Sequence, residues 1–174
     1  MSELKIALWQ MNAKVGDFVE NAAKIRAAAR RAEQMGAGLL LTSEMSLVGY
    51  PAEDWILRDD FCEKARKVLI LLAESMKDTI PVLVGTVWKE ENGARRNALA
   101  LLRSGRVEAL YFKQHLPEYG VFDEPRVFSA GDQPVVIEVN GVRLGLAICE
   151  DLWHPDVVAQ TCAAGAEVIL SDRK

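Results

Sequence analysis

The stretch VVIEVNGVRLGLAICEDLWHPDVVAQTCAAGAEVIL, residues 135–170, decides the fold class. Its first two apolar runs, VVIEV and VRLGLAIC, flank Asn140-Gly141, the strongest short turn signal, and read as a β-hairpin. A helix fits 156–164 and Gly165 ends it; a last apolar strand, Val168–Leu170, follows. Cys149 thus stands at the carboxyl end of a strand, a few residues before a helix start.

The rest of the chain extends this pattern. Ile6–Trp9 is a short buried strand. Residues 18–35 place Phe18, Ala22, Ile25, Ala29, Ala32 and Met35 on one helical face, with Asp17 as the cap and Gly36 beyond the end. Leu39–Leu41 is a second buried strand running into the polar TSEMS. A second helix fits 58–77, striped by Phe61, Ala65, Val68, Leu69, Leu72 and Met76. VLVGTV at 82–87 is a strand, and NALALLR, Ser104-Gly105 and VEALYFK form another hairpin. Parallel-type crossovers come early and hairpins later, which predicts a layered α/β fold with a mixed sheet. No repeat or linker divides the chain, so 1–174 reads as a single domain.

Bulk properties narrow the function. Half of the 174 residues are hydrophobic, enough to fill a core. The net charge of -4, with no basic cluster longer than a pair, argues against nucleic acid. The longest apolar runs, such as VLILLA at 68–73, are too short for a membrane span. Three cysteines and no signal-peptide pattern make a reducing cytoplasm the simplest compartment.

Three residues at strand ends are candidates for chemistry. Cys149 occupies the usual place of a nucleophile in layered α/β folds, and the nearby helix start favours its thiolate. The bland alternative is a small hydrophobe closing a strand; that alternative is preferred for Cys62 and Cys162, which lie inside helices. Glu44 follows the strand Leu39–Leu41, and Lys113 ends VEALYFK; taken singly, each is an ordinary solvated residue. The loop from Gln114 to Gln133 carries Tyr119, Phe122 and Phe128, too many aromatics for a free surface loop, and should fold over a pocket. His115, Cys149, Glu150, Asp151 and His154 could be gathered into a metal site, but no CxxC or HExxH spacing supports one and the two histidines lie far apart in sequence, so no metal is expected. Phosphate-loop and GxSxG patterns are absent from the sequence as well.

Glu44, Lys113 and Cys149, in that order on three strand ends, resemble the catalytic trio of the nitrilase superfamily. Within it, the chain is similar to the glutaminase domain of glutamine-dependent NAD+ synthetases. KIALWQMNAKVGD, SEMSLVGYPAEDWILRDDF, KQHLPEYGVFDEPRVFSAGD and GVRLGLAICEDLWHP carry the likeness, with KxxLPxYGVFDExRxF the most specific part. Thr42-Ser43 departs from the apolar-proline pair usual before the glutamate, and Ser171-Asp172-Arg173-Lys174 stands where the family continues.

The resemblance implies an αββα sandwich, the carbon-nitrogen hydrolase fold, incomplete at its carboxyl end. It implies hydrolysis of the L-glutamine side-chain amide through a thioester on Cys149. Glu44 would be the general base, its pKa raised by burial. Lys113 and the Glu150 N–H would hold the oxyanion, Tyr119 and Trp153 would line the pocket, and Glu118 or Glu124 would orient Lys113. The glutaminase step needs no cofactor; ATP and Mg2+ serve a synthetase domain, beyond this chain, that amidates deamido-NAD+. The implied partners are L-glutamine, a synthetase domain or subunit, and further copies in a homo-oligomer. Two other readings stay open: another nitrilase-type amidase or carbamoylase, and an inactive truncated fragment.

Overall fold

The computed structural model describes residues 3–173. In chain order the elements are β1 (Ile6–Trp9), α1 (Phe18–Gln34), β2 (Leu39–Thr42), α2 (Asp59–Ser75), β3 (Val82–Lys89), β4 (Arg95–Arg103), β5 (Arg106–Phe112), β6 (Val136–Val139), β7 (Val142–Ile148), α3 (Pro155–Ala163) and β8 (Val168–Asp172). Short 3₁₀ turns at Glu53–Leu57, Glu124–Arg126 and Cys149–Trp153 lie in segments that helical periodicity could not mark.

The strands form two sheets. One has the order β1-β2-β3-β4-β5, parallel through β3 and antiparallel from β3 to β5. The other has the order β6-β7-β8, with β7 and β8 parallel. Alternate residues of the larger sheet face opposite layers. Leu40, Val82, Val84, Ala100 and Leu102 pack under α1 and α2. Leu39, Leu41, Leu83, Leu99 and Leu101 meet Leu144, Leu146, Ile148 and Leu170 of the smaller sheet. Because both faces are covered, β2 and the middle of β4 read as unbroken apolar runs rather than alternating ones.

α3 covers the outer face of the smaller sheet. A Cβ on Gly145 of β7 would fall 2.2 Å from Thr161 Cγ2, so only glycine lets helix and strand approach this closely. The layers are therefore helix, sheet, sheet, helix, the αββα order expected. The two hairpins expected from sequence, β4–β5 and β6–β7, turn at consecutive positive φ angles: Ser104 (50°) with Gly105 (80°), and Asn140 (50°) with Gly141 (77°). That is the turn geometry matching strand twist.

Three local expectations fail. β1, read as a buried strand, is a sheet edge with no fully buried residue, and its Leu8 is exposed. Met35 is the C-cap of α1 and is exposed, because the chain has left the helical stripe there. Cys162 is exposed in the last turn of α3, whereas Cys62 is buried as expected.

Candidate active site

The topology brings the relevant strand ends to one edge. β2 and β3 run the same way, β4 opposes β3, and β5 opposes β4. The carboxyl ends of β2 and β5 therefore lie beside the amino end of β4. Glu44 leaves the first, Lys113 leaves the second and Asn97 lies at the third.

The turn bearing Glu44 is pinned from below. Met45 adopts φ 55°, and a Cβ on Gly85 would sit 2.4 Å from the Met45 nitrogen. The Leu47 N–H donates to Gly85 O at 3.0 Å. Thr42 Oγ1 donates to Leu83 O at 3.1 Å and shares a 2.7 Å hydrogen bond with Ser46 Oγ. The unusual Thr42 thus fastens this turn to β3.

Lys113 is 1% exposed and forms the centre of a buried charge cluster. Its Nζ donates to Glu44 Oε1 at 2.8 Å and to Glu124 Oε1 at 3.0 Å. Asn97 Nδ2 also donates to Glu44 Oε1 at 2.8 Å, and Tyr50 OH to Glu124 Oε1 at 3.2 Å. Burial alone favours neutral lysine, but the flanking carboxylates reverse this and raise the Lys113 pKa, so it stays ammonium. Burial pushes Glu124 up despite Lys113, and burial with the Glu124 charge keeps Tyr50 a neutral phenol. Of the two glutamates left open by sequence, Glu124 is the one on Lys113.

Cys149 stands opposite, at the end of β7, with φ 43°. A non-glycine residue in this region is strained, and the strain aims the side chain out of the strand. The Cys149 N–H donates to Ser171 Oγ of β8 at 3.0 Å. Burial, and then the Glu44 charge, push the thiol up to about 11, while Lys113 and Arg173 pull weakly the other way. The resting group is therefore a thiol, the state that a general base at Glu44 presupposes, and the helix start noted in the sequence does not make it a thiolate.

Asp151 joins the two sides. It is fully buried. Its Oδ1 accepts the N–H groups of Gln114 (3.0 Å) and His115 (2.9 Å), just after Lys113. Its Oδ2 accepts Tyr111 OH (2.8 Å) and the N–H of Ile148 (2.9 Å), just before Cys149.

A cavity of about 640 Å³ opens over the cluster, lined by Glu44, Lys113, Glu124 and Cys149. Glu150, Tyr119 and Trp153 line it too, so the structure brings all six sequence candidates to one pocket. Tyr119 and Trp153 are rim residues, 57% and 70% exposed, and Tyr119 OH donates to Glu150 Oε2 at 2.7 Å. Val121 and Phe122 of the 114–133 loop add to the wall, and Phe128 anchors that loop in the core.

The histidines, distant in sequence, meet in space. His115 and His154 stack at 3.6 Å, and with Asp156 their ligand atoms lie within 4.8 Å. Parallel rings hold their lone pairs in parallel planes, which do not converge on one ion. Cys149 and Asp151 belong to other contacts.

Sequence reasoning missed Asn97, Tyr50 and Asp151. Asn97 had one visible signal: it is the polar residue opening the apolar run NALALL. Asp172 is also buried, and neither carboxyl oxygen finds a hydrogen-bond partner among the described residues; burial drives its pKa well up.

Residues 5–174 match the carbon-nitrogen hydrolase family. The chain is 38% identical over 170 residues to a glutamine-dependent NAD(+) synthetase of Acinetobacter baylyi, covering 98% of itself and 31% of that protein. The solved glutamine-dependent NAD+ synthetase of Acinetobacter baumannii, in complex with ADP, superposes with a TM-score of 0.93 at 34% identity, over 98% of this chain and 32% of that one. An amidase from Nesterenkonia sp. gives 0.85 at 31% identity, over 99% of this chain and 65% of its own. A variant of that amidase (TM-score 0.84, 30% identity, 99% and 65% covered) holds the acetamide moiety of fluoroacetamide covalently on its active-site cysteine. The chain spans under a third of the two synthetases' length.

Proposed function

The chain belongs to the carbon-nitrogen hydrolase family, and from that premise we propose that it hydrolyses the side-chain amide of L-glutamine through Cys149, Glu44 and Lys113. One observation carries the reading. A buried ammonium, paired with two carboxylates, faces a strained cysteine across a single cavity.

The chemistry follows from that arrangement. A thiol near 11 is a poor nucleophile at neutral pH, so a base must take its proton as sulfur attacks the amide carbon. Glu44 is that base. Lys113 and the Glu150 N–H receive the oxyanion, Glu44 returns the proton to the departing ammonia, and a thioester remains on Cys149. Water, deprotonated by Glu44, then releases glutamate. No cofactor enters these steps.

Glutamine suits the pocket because the rim carries both signs. Glu53 and Glu150 match an α-ammonium and Arg173 an α-carboxylate, with Tyr119 and Trp153 against the aliphatic stem. The similarity to the two synthetases supports delivery of ammonia to a synthetase domain or subunit, where ATP and Mg2+ serve the amidation of deamido-NAD+. Assembly of the full enzyme as a homo-oligomer belongs to the same reading. The Nesterenkonia likeness favours a second reading, an amidase for small aliphatic amides.

Ammonia release from glutamine, asparagine and acetamide separates the two. Glutamine preferred by at least tenfold, with a glutamine-like chloroketone adding to Cys149 by mass, is the expected result. Acetamide preferred points to the second reading, and no adduct on Cys149 removes both.

A further inference from the structure

Asn97 is 1% exposed in a strand whose following residues, ALALL, are apolar. Its backbone carbonyl accepts the Lys113 N–H at 2.9 Å. Its Nδ2 donates to Glu44 Oε1 at 2.8 Å, the oxygen that Lys113 Nζ also reaches at 2.8 Å. Its Oδ1 is buried and makes no hydrogen bond among the described residues. A half-satisfied amide in a sheet interior is destabilising relative to a well-packed apolar residue. Strand formation alone therefore gives no reason for asparagine here.

We infer that Asn97 is a positioning residue for the proposed base, pinning one oxygen of Glu44 with its side chain and Lys113 with its backbone. The inference rests on the reading of Glu44 as base. The amide orientation supports it: an N–H donor suits a carboxylate, whereas the carbonyl turned inward would face a second acceptor. With Oε1 occupied by two donors, Oε2 is left to exchange the proton with Cys149.

The electrostatic surroundings make this donor matter. Lys113 at the end of β5 and Arg173 on the cavity wall are the cations on Glu44's side of the balance. The groups facing Glu44 from elsewhere are Cys149 after β7, Asp172 in β8, Glu124 in the 3₁₀ turn and Tyr50 in the loop after β2. Each of these four adds negative charge or none. Asn97 is the neutral donor that offsets them without a charge of its own.

The test titrates Glu44 directly in the intact chain. Carboxyl carbons of glutamate are labelled with ¹³C, and the Glu44 signal is identified by its loss in Glu44→Gln. Asn97→Asp places a second carboxylate at hydrogen-bond distance, and Asn97→Ala removes the donor. The Glu44 midpoint should move up in both, further in Asn97→Asp. The acid limb of kcat/KM for glutamine should follow, moving to higher pH by the same amount as the Glu44 midpoint in each variant, about one pH unit for Asn97→Ala and more for Asn97→Asp, with the activity recovered as pH rises.

A midpoint unchanged in both variants overturns the inference and leaves the base assignment standing. A midpoint that moves while the acid limb stays fixed upholds the hydrogen bond to Glu44 and removes Glu44 as base. If Asn97→Asp does not fold, Asn97→Ala decides alone. A merely structural Asn97 would lower the unfolding temperature without moving either titration.

Discussion

The two sides of the pocket are built differently. The acid–amine side, at the edge of the larger sheet, is buried and closely hydrogen-bonded: Lys113, Glu44, Asn97 and Glu124 are linked at 2.8 to 3.0 Å. The cysteine side is half-exposed and strained, and its rim residues Tyr119 and Trp153 reach into solvent. The difference teaches a division of labour. Fixed charges must be oriented before the reaction, because reorganising them in a low-dielectric site is costly. The nucleophile must move toward carbon and accept a substrate, so it cannot be locked in the same way.

The sharpest break is Cys149→Ala. Removing the nucleophile should lower kcat/KM for glutamine by on the order of 10⁴-fold or more. Stability should change by under about 1 kcal/mol, because the side chain is small, half-buried and only borders the core. Equal turnover in this variant would mean that the two sides do not form one site.

Lys113→Met tests the other side and should split the readouts. It leaves Glu44 and Glu124 buried face to face without a cation, so urea unfolding should show a loss of roughly 3–5 kcal/mol. The rate should fall by about 10²–10³ for the missing oxyanion partner. A rate loss without a stability loss would contradict the burial of this cluster.

Asp172→Val sharpens the comparison where the sides meet, since Asp172 lies on β8 opposite Ile148. Removing an unpartnered buried carboxyl should stabilise the chain by about 1–3 kcal/mol at pH 7. The sign with pH follows from the raised pKa. Above the ordinary carboxylate range the unfolded chain ionises while the folded one stays protonated, so the native penalty grows as pH rises toward the folded value. The gain from the substitution should therefore shrink at pH 3.5.

A pH series reads the cysteine side itself. An ordinary thiol, near ~8.5, is mostly ionised by pH 9.5. With its thiol near 11, Cys149 should show iodoacetamide alkylation still rising roughly 30-fold between pH 8.5 and 10. A plateau at 8.5 would show the thiol to be less desolvated than its packing indicates. The smallest effect is expected for Tyr119→Phe. Losing its exposed hydrogen bond to Glu150 should raise KM about two- to tenfold with kcat unchanged.

How legible each part was depends on the range of the interaction. Turns and layers were written locally: Asn140-Gly141, Ser104-Gly105 and the doubly buried runs of β2 and β4 needed no long-range information. Glu44, Lys113 and Cys149 could be named because each ends a strand and the motifs around them resemble a known superfamily. Asn97 and Asp151 were not legible, since their meaning lies in partners 53 and 36–40 positions away, respectively. That Cys149 rests as a thiol could be read from its residue type, but how far burial raises it could not, because desolvation is not visible in sequence.

By itself, the order of apolar runs and turn residues determined an α/β layering with a mixed sheet, because hydrophobic period and turn chemistry act over a few residues. Only tertiary structure decided that Glu124 rather than Glu118 meets Lys113, that Asn97 donates to Glu44, and how far burial raises the Cys149 thiol. Burial and charge proximity are properties of the packed molecule, and they set ionisation and orientation only once distant strand ends have been brought together.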